Sequence, residues 1–410
     1  MTERLLNRVD QNAQLIVALQ RMLVAIPAVG REDEKAAAIK NWMTQNNLPV
    51  TTINAPSPSG LRPNLICRIN GTDENRTLWI LSHMDVVDVV DRAAWNTDPF
   101  TLHIDDDNDT LRGRGVEDNH AGLVAGLLLA KALEETKTVP PLSLGLIMAA
   151  EEETGNRFGI EYIVKNHADL FQKDDLFIVP DGGEPDGRMI EIAEKGILWL
   201  KITFTGRATH GSTPQKGINS LTAMADFIVK AQDLSSQFAQ KDPLFDPPVS
   251  TFVPTKIENN VASVNILPGR DSVHFDCRIL PSEKIDDVLA AFSAIGDKVK
   301  AQHGVQIDIE IIQRTDPAPI TPRGAPVLQK LLCALEQEGI KDPQLHGIGG
   351  GTMAAFVRKA GHSALVWSII YNNPHVANER ASVRMIQKTA RVFVRMMVDS
   401  LTRQRDDRIH

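Results

Sequence analysis

Short runs of hydrophobic residues alternate with longer helical patterns in the first half of the chain. The runs have the length and the Val, Ile, Leu and Phe content of buried strands. These predicted strands lie at 63–69, 77–83, 142–150 and 175–180. Helices are predicted over 121–135, which is apolar on nearly every side, and over 158–171, which is amphipathic. Strands that alternate with helices indicate a mixed, mostly parallel sheet sandwiched by helices.

A different order begins near Gly196: strand, helix, two strands, helix, strand. This βαββαβ order describes a self-sufficient ferredoxin-like module with its helices on one face of a small sheet. A proline-rich hinge over 316–326 follows it, and the chain then returns to the pattern of its first part. We therefore expect an α/β domain made of 1–194 and 313–410, interrupted by an inserted domain over 195–312.

Composition narrows the class of protein. The 410 residues are 42% hydrophobic and 23% charged, as in a soluble globular protein of two domains. A net charge of −8 offers no basic face for nucleic acid. We expect no secretory signal and no membrane span, and the three cysteines suggest neither a disulfide framework nor a thiolate metal site. A cytoplasmic location fits these features best.

Acidic and imidazole side chains follow the predicted strands of the first part, where the loops of such sheets carry chemistry. Taken singly, an acid at a strand end is usually a turn or cap residue, and a lone histidine is seldom a ligand. Together at one sheet edge, these groups would repel one another unless a cation neutralised them. Imidazoles and carboxylates without thiolates suit zinc, cobalt or manganese. The residues concerned are His83, Asp85, Asp118, Glu151, Glu152, Glu153, Asp181 and His375.

Ten segments, spread over nearly the whole chain, carry a family resemblance. In chain order they read LSHMDVV, DPF, GRGVEDNHAG, EEETG, VPDGG, THGSTPQKGIN, NVASVNILPG, DCRILP, GGGT and HVANE. Together they resemble the zinc aminoacylase, acetylornithine deacetylase, succinyl-diaminopimelate desuccinylase and carboxypeptidase G family of two-metal amidohydrolases and peptidases. The resemblance implies two divalent metal ions per chain, with zinc expected first and cobalt or manganese as alternatives.

The resemblance also assigns metal ligands. It implies that His83 and Asp181 bind one metal, that Glu153 and His375 bind the other, and that Asp118 bridges them.

Catalytic roles follow for two further acids. Asp85 would hydrogen-bond the far nitrogen of His83, and Glu152 would be the general base for a metal-bridging hydroxide. Three consecutive glutamates permit a shift of one residue, and Gly155 in the pattern Glu-Glu-any-Gly selects Glu152 over Glu151. His120 stands where relatives often carry Lys or Gln, either as a neutral neighbour or as a residue that tunes the site.

The inserted module resembles the family's lid, which also forms the dimer surface. His210 resembles the histidine that reaches the partner subunit's site and stabilises the oxyanion, although a surface loop histidine is the alternative. Asn265 and Arg278 resemble lid residues that contact substrate, but Arg278 has a neighbouring acid with which it can pair. Gly350, in the glycine run 349–351, either lets the backbone approach substrate or forms a plain turn.

The predicted activity is hydrolysis of the amide bond of an N-acyl amino acid or short peptide that bears a free carboxylate. The alternative within the enzyme class is a metal-dependent dipeptidase or carboxypeptidase, which Asp181 favours slightly because many deacylases carry Glu there. A non-catalytic dimeric binding protein would have lost the base or a ligand, yet every expected position is filled. We expect a homodimer, with neither a nucleic acid nor a membrane partner.

Overall fold

The computed structural model describes residues 1–399, which fold into helices and strands in the alternating order expected of an α/β protein. The helices are α1 Thr2–Gln11, α2 Ala13–Val24, α3 Asp33–Gln45, α4 His120–Thr136, α5 Ile160–Asn166, α6 Ser220–Ala231, α7 Leu234–Gln237, α8 Ile285–His303, α9 Pro326–Gln337, α10 Met353–Lys359 and α11 Val383–Val398.

The strands are β1 Thr51–Ser57, β2 Gly60–Ile69, β3 Asp73–His83, β4 His103–Ile104, β5 Thr110–Arg112, β6 Leu142–Ala149, β7 Leu176–Gly183, β8 Met189–Glu194, β9 Gly196–Thr205, β10 Thr209–His210, β11 Thr251–Ile257, β12 Ile266–Leu267, β13 Arg270–Ile279, β14 Gln306–Thr315, β15 Gln344–Ile348, β16 Ala364–Ser368 and β17 Arg380–Ser382. None of the helices in residues 1–399 combines the length and the apolar composition needed to cross a bilayer.

The chain divides into two compact units. Among the described residues, the first contains Met1–Ile192, Thr321–His346 and 352–399, and the second contains Ala193–Ile320 and Gly347–Gly351. The second boundary falls later than the predicted residue 312, because β14 continues the small sheet to Thr315. The glycine-containing loop joins the second unit through backbone hydrogen bonds from Lys195 to the Ile348 carbonyl and from Gly347 to the Leu244 carbonyl.

A mixed eight-stranded sheet forms the centre of the first unit, in the order β1-β2-β6-β3-β7-β16-β8-β15. The four middle strands, β6, β3, β7 and β16, are parallel, and β2 and β8 flank them in antiparallel pairings. Strand β6 is buried throughout because both of its faces are covered. Their parallel direction brings the carboxyl ends of the four strands to one edge.

Helices cover both faces of this sheet. Gly126 of α4 lies against Leu146 and Ile80, whereas Trp79 and Ile147, on the opposite face, pack in a cluster with α5 and α10. The alternation follows from the two-residue period of a strand, which sends neighbouring side chains to opposite faces. Helix α4 is apolar all round because α1, α2 and α11 pack against it on the side away from the sheet.

The second unit is built on an antiparallel four-stranded sheet in the order β11-β13-β9-β14, with α6 and α8 between its strands in sequence. Alternate residues of β9, such as Leu200 and Phe204, are buried with Phe227 of α6 and Phe292 of α8. The predicted mixed α/β fold with an inserted βαββαβ module is confirmed.

Candidate metal centre

The carboxyl ends of the parallel strands carry the first group of predicted site residues. His83 is the last residue of β3, Glu153 follows β6, and Asp181 lies inside β7 rather than after it. Asp118 precedes α4 by two residues and so does not open the helix, and His375 lies in the loop between β16 and β17. The structure brings all five side chains together, in two groups that share Asp118.

The first group contains His83, Asp118 and Asp181. Nε2 of His83 lies 2.9 Å from Oδ1 of Asp118 and 3.6 Å from Oδ1 of Asp181. Asn119, the residue just before α4, donates from Nδ2 to the same Asp181 oxygen at 2.6 Å and to the Pro180 carbonyl at 2.8 Å. One imidazole nitrogen therefore faces two carboxylates, and the Asn119 amide fixes one of these carboxylates.

The second group contains Asp118, Glu153 and His375. Nε2 of His375 lies 3.1 Å from Oδ2 of Asp118 and 3.0 Å from Oε2 of Glu153. The other Glu153 oxygen, Oε1, is buried and has no hydrogen-bond partner among residues 1–399. Because the two Asp118 oxygens serve different imidazoles, this carboxylate lies between the groups as a bridging ligand would.

The crowding of acids and imidazoles shifts the pKa values of these side chains. Hydrogen bonds from His375 to Asp118 and Glu153 raise the pKa of that imidazole to about 10. Burial alone would lower the pKa of His83, but the neighbouring carboxylates, Asp181 first, raise it well above its ordinary value. Burial also raises the pKa of Glu153 and Asp181. The cluster therefore holds protons strongly. This is expected where several acids lie close together with little access to solvent and where a bound cation would neutralise their negative charge.

Asp85 contacts His83 differently from the expectation. Nδ1 of His83 lies 3.0 Å from the backbone carbonyl oxygen of Asp85 and 3.5 Å from its carboxylate. The two carboxylate oxygens instead accept the backbone N–H groups of Glu152 and Glu153, each at 3.0 Å. The carbonyl fixes the histidine tautomer, and the carboxylate fixes the turn that carries the two glutamates.

The three consecutive glutamates have distinct surroundings. Glu151 accepts the Phe158 N–H at 2.7 Å, so its carboxylate is engaged in the loop. The pKa of Glu152 is raised well above its ordinary value by burial and by the nearby charges of Asp181 and Glu153. Nδ2 of Asn156 donates to Oε1 of Glu152 at 3.2 Å. Glu152 and Glu153 thus share the acidic cluster, whereas Glu151 supports the turn.

Sequence reasoning missed two buried acids that hold the ligand-bearing loops. Glu379 accepts the backbone N–H groups of Gly115, Glu117 and Asp118 at 2.9–3.1 Å, and Arg114 pairs with it at 2.9 Å. Burial, followed by the charge of Asp118, raises the pKa of Glu379 to about 7. Its signal was present in the segment HVANE, in which only the histidine was assigned.

Glu117 makes the reciprocal connection. Its carboxylate accepts the backbone N–H groups of Tyr371 and Asn373, both at 2.7 Å, and burial raises its pKa to about 7. Glu379, from the loop that carries His375, therefore holds the loop before α4, and Glu117, from the loop before α4, holds the loop that carries His375. This arrangement sets the separation between Asp118 and His375.

His120 lies at the start of α4 and is fully buried. Its Nε2 is 2.8 Å from Nζ of Lys35, and its Nδ1 has no hydrogen-bond partner in the part of the chain that the structure describes. Burial and the Lys35 charge lower the pKa of His120 well below its ordinary value, so the ring is neutral and accepts from the ammonium. Burial lowers the pKa of Lys35 to about 7. Of the two sequence readings of His120, the geometry matches the neutral neighbour.

The remaining predicted residues belong to the second unit. His210 is exposed on β10, and its Nδ1 lies 2.7 Å from the Ser212 hydroxyl. The antiparallel pairing of β10 with β12 places Asn265 beside it, and the Asn265 carbonyl accepts the Gly211 N–H at 2.7 Å. His210 and Asn265 thus form one exposed turn.

Arg278 of β13 pairs with its neighbouring acid, the alternative noted from sequence. Its guanidinium makes a two-point contact with Asp276 at 2.7 and 3.0 Å and donates to the Gly349 carbonyl at 2.9 Å. A Cβ added at Gly349 would meet nothing within 4 Å, and one at Gly350 would touch only Ile348 at 3.7 Å. Local packing within this unit does not account for the glycines.

Comparisons with known proteins place this geometry in context. The model of peptidase family M20/M25/M40 matches residues 79–399. An uncharacterized metallohydrolase of Methanococcus maripaludis is 37% identical over 386 residues, which cover 88% of this chain and 92% of that protein. A succinyl-diaminopimelate desuccinylase of Ruegeria pomeroyi is 26% identical over 346 residues, covering 82% and 86%.

The fold also has solved counterparts. The crystal structure of a tripeptidase from Staphylococcus aureus matches with a TM-score of 0.77 and 18% identity, covering 94% of this chain and 98% of that one. At this identity the likeness is one of fold. The similarity extends over both units, since the match covers nearly all of the chain.

Proposed function

This chain belongs to peptidase family M20/M25/M40 and is a metal-dependent hydrolase, and we propose that it cleaves the amide bond of an N-acyl amino acid or short peptide bearing a free carboxylate. One observation carries the proposal. Asp118 lies within 3.1 Å of two imidazoles, and each imidazole also faces a second carboxylate. Such paired donor sets are suited to two metals that share one bridging ligand.

The donor chemistry fits divalent zinc, cobalt or manganese. His83 and Asp181 would hold one ion and Glu153 and His375 the other, with Asp118 between them. Imidazole nitrogen and carboxylate oxygen suit these metals, whereas calcium and magnesium prefer oxygen alone. The buried, unpartnered Glu153 oxygen supports this assignment, because a buried carboxylate oxygen without a donor is costly unless a cation faces it.

When bound, the two ions would acidify a water molecule and polarise the amide carbonyl. Glu152 takes the proton from that water, because its partly buried carboxylate has a raised pKa and lies among the proposed ligands without being one of them. After the water oxygen has attacked the carbonyl carbon, Glu152 gives the proton to the leaving nitrogen. The C–N bond then breaks to release a carboxylic acid and an amine, and the second proton of the attacking water passes from the acid to the amine, so that the products leave as a carboxylate and an ammonium. The asymmetry between Glu152 and the loop-bound Glu151 supports this choice of base.

Two substrate classes are compatible with the same chemistry. The name of the desuccinylase relative favours removal of an acyl group, and the name of the tripeptidase neighbour favours the alternative of a dipeptidase or carboxypeptidase. A non-catalytic dimeric binding protein would require the loss of a metal-ligand residue or of the base. The chain contains a suitable residue at each of these positions. We place deacylation first because the desuccinylase relation is one of sequence.

Substrate contacts are proposed for the second unit. His210 would stabilise the oxyanion in the partner subunit's site of a homodimer, which its exposure permits. Asn265 and Gly350 would contact substrate through polar or backbone groups. Arg278 would bind the free carboxylate by exchanging Asp276 for it, since that acid already occupies its guanidinium. We propose a cytoplasmic location.

Glu152→Gln tests the proposal against its matched neighbour Glu151→Gln. We expect Glu152→Gln to lower kcat by at least ~100-fold, the contribution typical of a general base, with two metals per chain retained. Hydrolysis of N-acetyl, N-succinyl and dipeptide substrates would be measured with zinc, cobalt and manganese, beside metal analysis. If Glu151→Gln alone removed activity, Glu151 and not Glu152 would be the base. Full activity of the wild-type protein after exhaustive chelation would overturn the metal-dependent mechanism.

A further inference from the structure

The turn after β6 contains an asparagine that touches the proposed general base. Asn156 donates from Nδ2 to Oε1 of Glu152 at 3.2 Å and also lies 3.4 Å from the Glu152 carbonyl oxygen. Within residues 1–399, it provides the only side-chain hydrogen bond to the Glu152 carboxylate. This contact has no part in binding metal, because Glu152 lies outside both ligand groups.

Asn156 is held rigidly and away from solvent. The residue is 4% exposed, and its backbone N–H donates to the Glu151 carbonyl at 2.7 Å. Its own carbonyl accepts the N–H groups of Gly159 and Glu161 at 3.1–3.2 Å. Because its backbone is fixed, Asn156 holds its side-chain amide in one position. A residue that orients another side chain must be held in this way.

Backbone conformation alone does not explain this residue. Asn156 has φ +65°, a left-handed conformation that Gly, Asn and Asp adopt most readily. Gly would satisfy the backbone without burying an amide whose Oδ1 lacks a hydrogen-bond partner within the described chain. Burying an amide with an unsatisfied oxygen is costly, so the Nδ2 contact must compensate for it in function or in local order.

We propose that Asn156 is a positioning residue that holds the Glu152 carboxylate by one oxygen and so directs the other to the proton in transfer. The inference rests on the proposed role of Glu152. In the hydrolytic cycle, Oε2 of Glu152 takes a proton from the attacking water and returns it to the leaving nitrogen. Meanwhile Oε1 of Glu152 keeps its hydrogen bond to the Asn156 side-chain amide. Without this bond the carboxylate would rotate about its terminal torsion, which is broad and roughly two-fold.

Two variants separate orientation from loop structure, because both keep the left-handed backbone. Asn156→Gly removes the amide, and Asn156→Asp places a second carboxylate against Glu152 with nearly the same shape. We expect kcat to fall ~10-fold or more in the first and further in the second, since misplacing a proton-transfer group is costly. KM and the metal content should stay at wild-type values.

Asn108 offers the matched control. It also has a left-handed backbone, at φ +54°, but it is exposed in the turn between β4 and β5. Asn108→Gly and Asn108→Asp should leave kcat, KM and metal content unchanged, because the one side-chain hydrogen bond that Asn108 donates within residues 1–399 goes to the Asp106 carbonyl, at 3.4 Å.

The outcomes distinguish this inference from the function on which it rests. If Glu152→Gln is inactive and both Asn156 variants turn over like wild type, the positioning role is wrong and the base assignment stands. A loss of metal in proportion to the loss of kcat in the Asn156 variants would mark a purely structural role and would also overturn the inference. Normal hydrolysis by Glu152→Gln would reject the proposed base itself.

Discussion

At the scale of single residues, Asp85 connects the strand that carries His83 to the turn that carries Glu152 and Glu153. Its carbonyl contacts the histidine, and its two carboxylate oxygens accept one backbone N–H each from the glutamates. One residue, through its carbonyl and its carboxylate, therefore sets the relative positions of three site residues. The charge on Asp85 strengthens both hydrogen bonds, since bonds to an ionised acceptor are stronger than neutral ones.

Asp85→Asn tests this arrangement with minimal change of shape. Only one amide oxygen remains as an acceptor, so the NH2 group would face a backbone N–H, and we expect a cost of about 1.5–3 kcal/mol. The turn should shift, and kcat should fall ~10-fold or more with the shift of the glutamates. Steady-state kinetics and metal analysis provide the measurement.

Asp88→Asn is the control for this prediction. Asp88 is an exposed acid in the loop after the strand that carries His83, and among the described residues its carboxylate accepts only the N–H of its neighbour Val89, at 2.7 Å. It should behave as wild type. Equal kinetics for both variants would show that the Asp85 carboxylate does not organise the turn.

Some of these residues could be found from sequence and others could not, for a physical reason. His83 and Asp181 were predicted because strand periodicity shows where β3 and β7 reach the sheet edge. Glu117 and Glu379 were not predicted, because each acts on backbone N–H groups of a loop distant in sequence. No pattern of side chains records which N–H groups such a carboxylate will meet. The same holds for the Asp85 carboxylate.

At the scale of elements, the close approach of α4 to β7 sets the position of Asn119, just before the helix, relative to Asp181 in the strand. A Cβ added at Gly122 would lie 2.5 Å from Cγ of Pro180 and 2.7 Å from its carbonyl oxygen. Just before this helix, Asn119 donates to the same Pro180 carbonyl and to Asp181. The glycine therefore permits the close contact on which the Asn119 hydrogen bonds depend.

Gly122→Ala should push α4 away from β7. We expect a loss of about 1–3 kcal/mol in the free energy of unfolding, as for other overpacked positions, together with a lower kcat because Asp181 is displaced. Denaturant unfolding at fixed metal concentration, with parallel kinetics, would measure both effects.

Gly126 of the same helix is the matched control. A Cβ there would approach the flexible end of Leu146 at 3.2 Å, a contact that a small side-chain shift relieves. Gly126→Ala should be neutral or stabilising by up to ~1 kcal/mol, because alanine favours helix more than glycine does. Equal destabilisation by both substitutions would contradict the special role of Gly122.

Element prediction was most accurate where burial is strongest. The parallel strands and α4 form long apolar runs, and these appear in the structure close to their predicted bounds. The helix predicted over 158–171 is shorter, since α5 ends at Asn166. The apolar segment SALVWSII at 363–370 likewise predicts a strand, and the observed strand β16 ends at Ser368. Both ends are set by turns and loop contacts, which hydrophobic periodicity does not encode.

At the scale of the whole molecule, the fold of the first unit brings acids and imidazoles that are distant in sequence into one cluster. Hydrogen bonds to Asp118 and Glu153 raise the pKa of His375 from its ordinary 6.5 to about 10. The stability contributed by that proton is therefore fully present below pH 6.5 and is lost as the pH rises to about 10. A metal must displace the proton to reach the imidazole nitrogen.

Metal affinity should accordingly rise with pH. One proton leaves the His375 imidazole when a metal binds to it. Between pH 6.5 and about 10, the metal affinity should therefore rise by up to ~10-fold for each pH unit. Competition against a chelator of known affinity at several pH values, with proton release followed in weakly buffered solution, provides the measurement. An affinity that does not change with pH, or binding without proton release, would contradict the proposed ligand role of His375.

The central claim is that Asp118 bridges two divalent metal ions. Anomalous X-ray diffraction from crystals grown with zinc, recorded on both sides of the zinc absorption edge, tests it most directly. The account predicts two zinc peaks about 3.5–4 Å apart, one on each side of the Asp118 carboxylate, with His83 at one and His375 at the other. A single peak, or two peaks that do not share Asp118, would contradict it.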